Sequence, residues 1–299
     1  MENKFDVIII GGSYAGLSAA MALGRSLREV LIIDGGKPCN RQTPHSHNFI
    51  THDGKAPKEI SDLAKEQVLK YETVKFHEGT VKKTAKNTVG FEVETENGEK
   101  FYAKKMILAS GIKDVMPDIS GFADCWGISV LHCPYCHGYE VKGEATGILS
   151  NGDMIFEFSK IVFNLTKDLT LLTNGKADLN DEQIEKLNKN NIKLIEDEIE
   201  KVNHESGRIQ KVIFKNGNEI PLKALYAKIP FEQNINVSDL DLELTEHGFL
   251  KIDHFHKTNI EGVFACGDNV TMMRSVPNAV AQGNFTGAVV NKELSEEEF

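Results

Sequence analysis

The chain has 299 residues, 40% apolar and 26% charged, which is enough apolar material for more than one globular core. Its formal charge of −10 and the lack of a Lys/Arg cluster exclude a nucleic-acid footprint. No apolar run approaches the ~20 residues of a membrane helix, and the opening MENKFDVIII is too short for a signal sequence, so a cytoplasmic location is expected.

FDVIII (5–10) reads as a buried strand, SYAGLSAAMALGRS (13–26) as a helix with small residues on its packing face, and EVLIIDGG (29–36) as the next strand, a complete βαβ unit. Inside it, GGSYAG supplies Gly11 for the tight turn and Gly16 for close helix–strand contact, so the helix N-terminus presents free N–H groups to a pyrophosphate. Asp34 stands 23 residues after Gly11, near the spacing of a ribose-binding acid. Ser13 occupies the second glycine position, where its hydroxyl can itself meet phosphate.

An irregular stretch rich in His, Asn and Pro (37–57) precedes a helix over 58–72. Strands follow, with a hairpin signal at Asn97-Gly98. A second βαβ unit begins at GEATGILS (143–150), continues with a helix over 153–166, and reaches DLTLLTNG (168–175). After a helix at 181–189, hairpins return around Asn216-Gly217, then a short strand in NIEGVFACGDN and a helix over 275–294. The acidic SEEEF (295–299) reads as a solvated end.

Five cysteines with one close pair are the arithmetic of a redox or metal site, not of a disulfide scaffold. The pair, Cys133 and Cys136, stands in VLHCPYCHGYE with His132 before it and His137 after it. C-x-x-C-H is the string of covalent haem attachment, half of a zinc knuckle, and a redox dithiol. Haem attachment needs an oxidising compartment, which the expected location excludes. A structural zinc wants four N/S ligands, and the remote His45 and His47 would complete an unusual set.

MILASG (106–111) and GVFACGD (262–268) are apolar strands ending in small residues, with Asp268 placed where an acid can hold a sugar hydroxyl. GGSYAG, ASG, CPYC and GVFACGD, in this order and from end to end, resemble the low-molecular-weight thioredoxin reductases. The resemblance implies an α/β fold of two Rossmann-like, three-layer ββα nucleotide-binding domains, the second inserted in the first. Roughly, residues 1–115 and 245–299 would bind FAD, and 116–244 would form the inserted NAD(P)-binding-like domain carrying the C-x-x-C pair. It implies FAD contacts from Gly11, Gly12, Ser13, Tyr14, Ala15, Gly16, Asp34, Gly35, Asn40, Arg41, Val81, Ala109, Ser110, Gly111 and Asp268, with Ser275 and Val276 facing the carbonyl edge of the flavin. It makes Cys136 the flavin-side thiolate, stabilised at a helix start, and Cys133 the sulfur that exchanges with substrate. It also implies a homodimer.

Two features depart from the reductases. They place a proton-donating aspartate directly after the second cysteine; here that residue is His137, with His132 on the other flank. An imidazole removes a thiol proton as readily as it supplies one, which suits a dithiol being oxidised. Their second domain carries G-x-G-x-x-A and a His-Arg-Arg cluster; here those places read SNGDMI (150–155) and TNGKAD (173–178). No guanidinium clamps a 2′-phosphate, Ile155 replaces the small residue, and Lys176 gives charge without the fork, so productive NADPH binding is not expected.

The pattern is most similar to the FAD-dependent dithiol oxidases that close the disulfides of gliotoxin and holomycin. It is similar also to ferredoxin-dependent flavin thioredoxin reductases. The oxidase resemblance implies that His47 and Asn48 approach the flavin, that the substrate is a small-molecule dithiol, and that O2 takes the electrons. The alternative is reduction of a thioredoxin-like protein with NAD(P)H or another donor.

Overall fold

A computed structural model of the chain describes residues 3–236 and 239–299. The chain forms two compact units: one of Met1–Arg41, Asn48–Lys113 and Phe231–Phe299, the other of Gln42–His47 and Asp114–Pro230.

The first unit opens with β1 (Lys4–Ile10), α1 (Tyr14–Arg25), β2 (Val30–Asp34), α2 (Pro57–Val68), β3 (Val74–Glu78), β4 (Val81–Asn87), β5 (Gly90–Thr95), β6 (Lys100–Leu108) and β7 (Ile112–Asp114). The second unit holds α3 (Phe122–Cys125), β8 (Val130–Leu131), α4 (Pro134–His137), β9 (Thr146–Leu149), α5 (Gly152–Val162), β10 (Leu169–Leu172), α6 (Asp181–Lys189), β11 (Lys193–Ile195), β12 (Ile199–Glu205), β13 (Arg208–Phe214), β14 (Glu219–Pro221) and β15 (Ala224–Ala227). The chain then returns to the first unit with β16 (Phe231–Gln233), β17 (Val263–Ala265) and α7 (Val276–Glu298).

In the first unit β3-β2-β1-β6 run parallel, and the length of β6 lets it serve two partners. Its first half pairs antiparallel with β5 (Phe91 opposite Ala103), and its second half pairs parallel with β17 (Val263 opposite Met106). Alternation along the apolar stretches of these strands feeds two cores. Val7, Ile9, Ile32, Ile107 and Phe264 pack under α1 and α7, while Ile8, Ile10, Leu31, Ile33 and Met106 face Phe91, Val93, Leu240 and Leu242 on the other side.

Leu240 and Leu242 belong to this core, and Phe231–Gln233 pairs with β7. The return crossing therefore lies at Pro230/Phe231, against the expected 244/245. The second unit repeats the plan: a parallel β11-β10-β9-β15-β8 sheet and an antiparallel β12-β13-β14 sheet, with helices on the other face. Both units are Rossmann-like three-layer ββα arrangements.

Both Asn-Gly hairpins form, with Gly98 at φ +81° and Gly217 at φ +86°, where L side chains are strained. The acidic end is not merely solvated. It continues α7, where Glu297 bonds the buried Lys105 and Glu298 bonds Lys104 (2.8 Å) and Arg28 (2.5 Å). Those two cations hold the Glu298 carboxyl down to about 2.

Helix α7 meets α1 through small residues. A Cβ on Gly283 would lie 2.0 Å from the carbonyl oxygen of Ala15, and one on Gly287 would lie 2.6 Å from that of Ala19. Gly283→Ala should therefore destabilise by about 1–3 kcal/mol, lowering Tm by roughly 2–4 °C per kcal/mol in a thermal melt. An unchanged Tm would show that the helices separate at no cost.

Candidate active site

Three residues carry the chain from β1 into α1. Gly11 sits at φ +105°, and a Cβ there would fall 2.2 Å from the carbonyl oxygen of Ala109 at the end of β6. A Cβ on Gly16 would fall 1.8 Å from the carbonyl oxygen of Gly11, so the helix rests directly on the turn. Asp34 uses both oxygens on this backbone: Gly12 N–H donates to Oδ1 (2.9 Å) and Gly36 N–H to Oδ2 (3.0 Å).

A cavity of roughly 600 Å³ opens over the turn, and Gly12, Ser13, Tyr14, Asp34, Gly35, Asn40 and Arg41 line it. Ser13 caps α1 without a side-chain capping bond. The Tyr14 hydroxyl donates to the Pro57 carbonyl (3.0 Å) and accepts from Asn40 (3.3 Å). Lys65, Phe76, Glu78 and Thr80 also line the cavity, and the sequence reading named none of them. The Lys65 ammonium sits 3.5 Å over the Phe76 ring and 3.5 Å from Glu78. No local signal marked them: it is β3 lying beside β2 that puts Glu78 opposite Asp34.

Ala109, Ser110 and Gly111 follow β6, and Ser110 Oγ is buried with no hydrogen-bond partner among the described residues. After β17, Gln282 accepts the N–H of Gly267 (2.8 Å), whose Cβ position lies 3.0 Å from Ala15. Asp268 accepts from the Cys39 thiol (3.4 Å) and lies 3.6 Å from Arg274. Burial, and then Asp268, push that thiol up to about 12, so Cys39 is a donor here and not a nucleophile.

The remaining expected flavin residues are more scattered. Ser275 caps α7, its hydroxyl accepting from Asn278 N–H (3.3 Å), and Val276 packs into the core. Val81 opens β4 and packs against the second core. Asn48, at φ +60°, donates its N–H to Asp53 (2.7 Å) in the first unit. Its neighbour His47 belongs to the second.

In the second unit Cys133 and Cys136 are joined as a disulfide with Cα atoms 5.3 Å apart. Cys133 is the N-cap of α4, and its sulfur accepts the N–H of Cys136 (3.2 Å). The helix is a single turn, so thiolate stabilisation rests on this local N–H and little on a macrodipole. His132 packs tilted on Trp126 at 6.0 Å, and Trp126 in turn donates to Asp114 (3.0 Å). His137 stands edge-on to His47, ring centroids 6.4 Å apart, and Glu140 lies 3.5 Å from the His47 Nε2. Burial pushes the His137 imidazole below its ordinary 6.5; His47 adds to this and Glu140 opposes it. His137 is therefore neutral at pH 7 and able to accept a proton.

Residues 5–283 match the family model described as pyridine nucleotide-disulphide oxidoreductase. The chain belongs to that family. It is 33% identical to thioredoxin reductase tcpT of Claviceps purpurea, over 98% of this chain and 95% of that protein. The structure of a putative thioredoxin reductase TrxB from Bacillus anthracis superposes with a TM-score of 0.94 at 32% identity, covering 99% of this chain and 100% of that one. HlmI superposes at 0.92 with 26% identity, covering 99% and 94%.

The protein is thus an FAD-dependent disulfide oxidoreductase of the thioredoxin reductase-like kind. The first unit fits the flavin nucleotide: an open glycine turn, a cavity of roughly 600 Å³, and an orphaned serine hydroxyl at a strand end. No helix among the described residues is long and apolar enough to cross a membrane.

Purified protein should be yellow, and Gly16→Val should release the flavin, because the branched side chain drives the helix off the Gly11 carbonyl. Flavin absorbance per protein in a folded variant measures this. Full retention would contradict the placement of the nucleotide turn.

Proposed function

We propose that the protein oxidises a small-molecule dithiol to its disulfide without NADPH, with O2 as the final electron acceptor. The observation that carries this reading is the second unit's counterpart of the glycine turn. There Asn151 caps α5 with its side-chain oxygen on the N–H groups of Gly152 (2.8 Å) and Asp178 (2.9 Å), while its amide donates to the Lys176 carbonyl (2.9 Å). Asp153 occupies the first turn of that helix, bonded by Gln183 (2.7 Å), and a Cβ on Gly152 would lie 3.7 Å from a carboxylate oxygen of Asp178.

The Asn151 side chain is engaged by its own chain, and two carboxylates stand where a pyrophosphate would bring more negative charge. Ile155 is fully buried in the unit's core, and no arginine stands between β10 and α6.

The chemistry then runs through unit-two side chains. A substrate thiolate attacks the Cys133 sulfur; the Cys133–Cys136 bond breaks and a mixed disulfide forms. The second substrate thiol loses its proton to His137, attacks its own mixed-disulfide sulfur, and leaves as the closed disulfide. Cys133 and Cys136 are left reduced by two electrons. Bound FAD would supply the two-electron acceptor for reoxidation of the pair. The names of the relatives favour a second reading, reduction of thioredoxin, in which the same exchange runs backwards from a reduced flavin.

Under anaerobic conditions dithiothreitol should bleach the flavin and NADPH should not; bleaching by NADPH at a catalytically useful rate would overturn the first reading. His137→Asn should slow bleaching by dithiothreitol by roughly 10²–10⁴-fold, the range for one general base. The deficit should shrink at alkaline pH, where the substrate thiol, with a pKa of ~8.5, ionises unaided. Because the neutral imidazole is the active form and burial lowers its proton affinity, the advantage of wild type over His137→Asn should be lost only as pH drops below 6.5. An unchanged rate in His137→Asn across this range would make the histidine structural.

A further inference from the structure

We propose that Glu140 is a positioning residue for the Cys133–Cys136 reaction, joining His47 to the C-x-x-C-H motif and fixing the orientation and charge of the His47–His137 pair. The inference rests on the dithiol-oxidation reading and adds to it a residue that the sequence did not single out.

The geometry has two independent supports. Helix α4 runs through Gly138 into a single 3₁₀ turn, Tyr139–Val141, which brings Glu140 round to the side of His137 three residues earlier. Gly138 makes that passage possible: a Cβ there would lie 2.3 Å from the Pro134 carbonyl oxygen and 2.4 Å from a Leu165 methyl. His47 arrives on the separate segment Gln42–His47, which is anchored in the second unit by buried Thr43 and Ser46. Gly127, at φ +76°, leaves room for that segment, since its Cβ position is 2.9 Å from Thr43 Oγ1. The segment sets the His47 imidazole 3.5 Å from the Glu140 carboxylate and edge-on to His137.

The charged and titratable groups facing this trio come from three elements. Glu140 lies on the 3₁₀ turn after the motif, His45 stands 6.4 Å from His47, and Tyr226 comes from β15. The Tyr226 hydroxyl is buried without a hydrogen-bond partner among the described residues, and burial together with the Glu140 charge raises its pKa. Lys142, the cation next in sequence, is drawn over the Tyr139 ring at 3.6 Å.

When a substrate S–H bond breaks and its proton forms an N–H on His137, an imidazolium appears beside one carboxylate and one imidazole. Glu140 favours that charge and a protonated His47 opposes it, while the Glu140–His47 contact holds both rings in place.

The test uses the full-length, flavin-loaded protein and the variants Glu140→Gln and His47→Gln. The titration midpoint of His137 is read from its ring protons by NMR, beside the pH profile of flavin bleaching by dithiothreitol. Glu140→Gln should lower the midpoint by roughly one pH unit. It should slow bleaching at neutral pH by roughly 3–10-fold and move the acid limb to lower pH, with flavin content unchanged. His47→Gln should move the midpoint upward. A midpoint in Glu140→Gln equal to wild type, in folded yellow protein, overturns the proposal. A shifted midpoint in a protein whose flavin dithiothreitol never bleaches supports the role of Glu140 and sinks the oxidation reading instead.

Discussion

Gly283 and Gly287 on α7 rest against the backbone carbonyls of Ala15 and Ala19 on α1, an approach that any side chain at those positions would prevent. Much of the nucleotide end of the first unit follows from it. Helix α1 is clamped between α7 and the Gly11 carbonyl beneath Gly16, so its first N–H groups are fixed at the mouth of the cavity. The same contact locates the Gly267-Asp268 turn, because Gln282, one residue before Gly283, holds the Gly267 N–H, and Ala15 closes on Gly267. Two glycines far along the chain thereby bring a C-terminal carboxylate into the unit built by the first strands. The ion pairs of Lys104, Lys105 and Arg28 with the last turns of α7 tie down the other end of that helix.

What was legible in the sequence followed from local physics. Apolar runs with small-residue turns fixed the strand–helix order of both units, and Asn-Gly fixed both hairpins, because these signals act over a few residues. The C-x-x-C-H string left several chemistries open, and the resemblance of the whole chain is what made it a redox pair. Long-range pairing was not legible. The cavity wall contributed by Lys65, Phe76 and Glu78 depends on β3 lying beside β2, and Glu140 depends on a loop returning His47 to the second unit. The acidic tail was read as solvated because its partners, Lys104 and Lys105, lie some 190 residues earlier.

The two units show one fold element with its helix start capped differently. In the first, the α1 N-terminus opens into a cavity with Ser13 uncapped and Asp34 occupied by backbone N–H groups of its own turn and loop. In the second, the α5 N-terminus is closed by Asn151 and faced by Asp153 and Asp178. The backbone dipoles are alike, so the difference lies in which side chains already satisfy them. On the dithiol-oxidation reading, a helix start capped by its own chain and flanked by carboxylates is a poor phosphate site.

This contrast bears on the direction of electron flow more than His137 does. A general base accelerates a thiol–disulfide exchange equally in both directions, since the proton it takes in one is the proton it returns in the other. On the proposed reading, the half-buried, neutral imidazole of His137 therefore sets the pH at which exchange is fast, and leaves its equilibrium untouched. Direction comes from whatever supplies or removes electrons at the flavin. On the dithiol-oxidation reading, the closed α5 terminus removes the nicotinamide supply, the substrate dithiol becomes the only donor the site recognises, and net flow runs from sulfur to flavin. The histidine and the closed turn then answer different questions, rate and direction, and an aspartate restored at position 137 would alter the first alone.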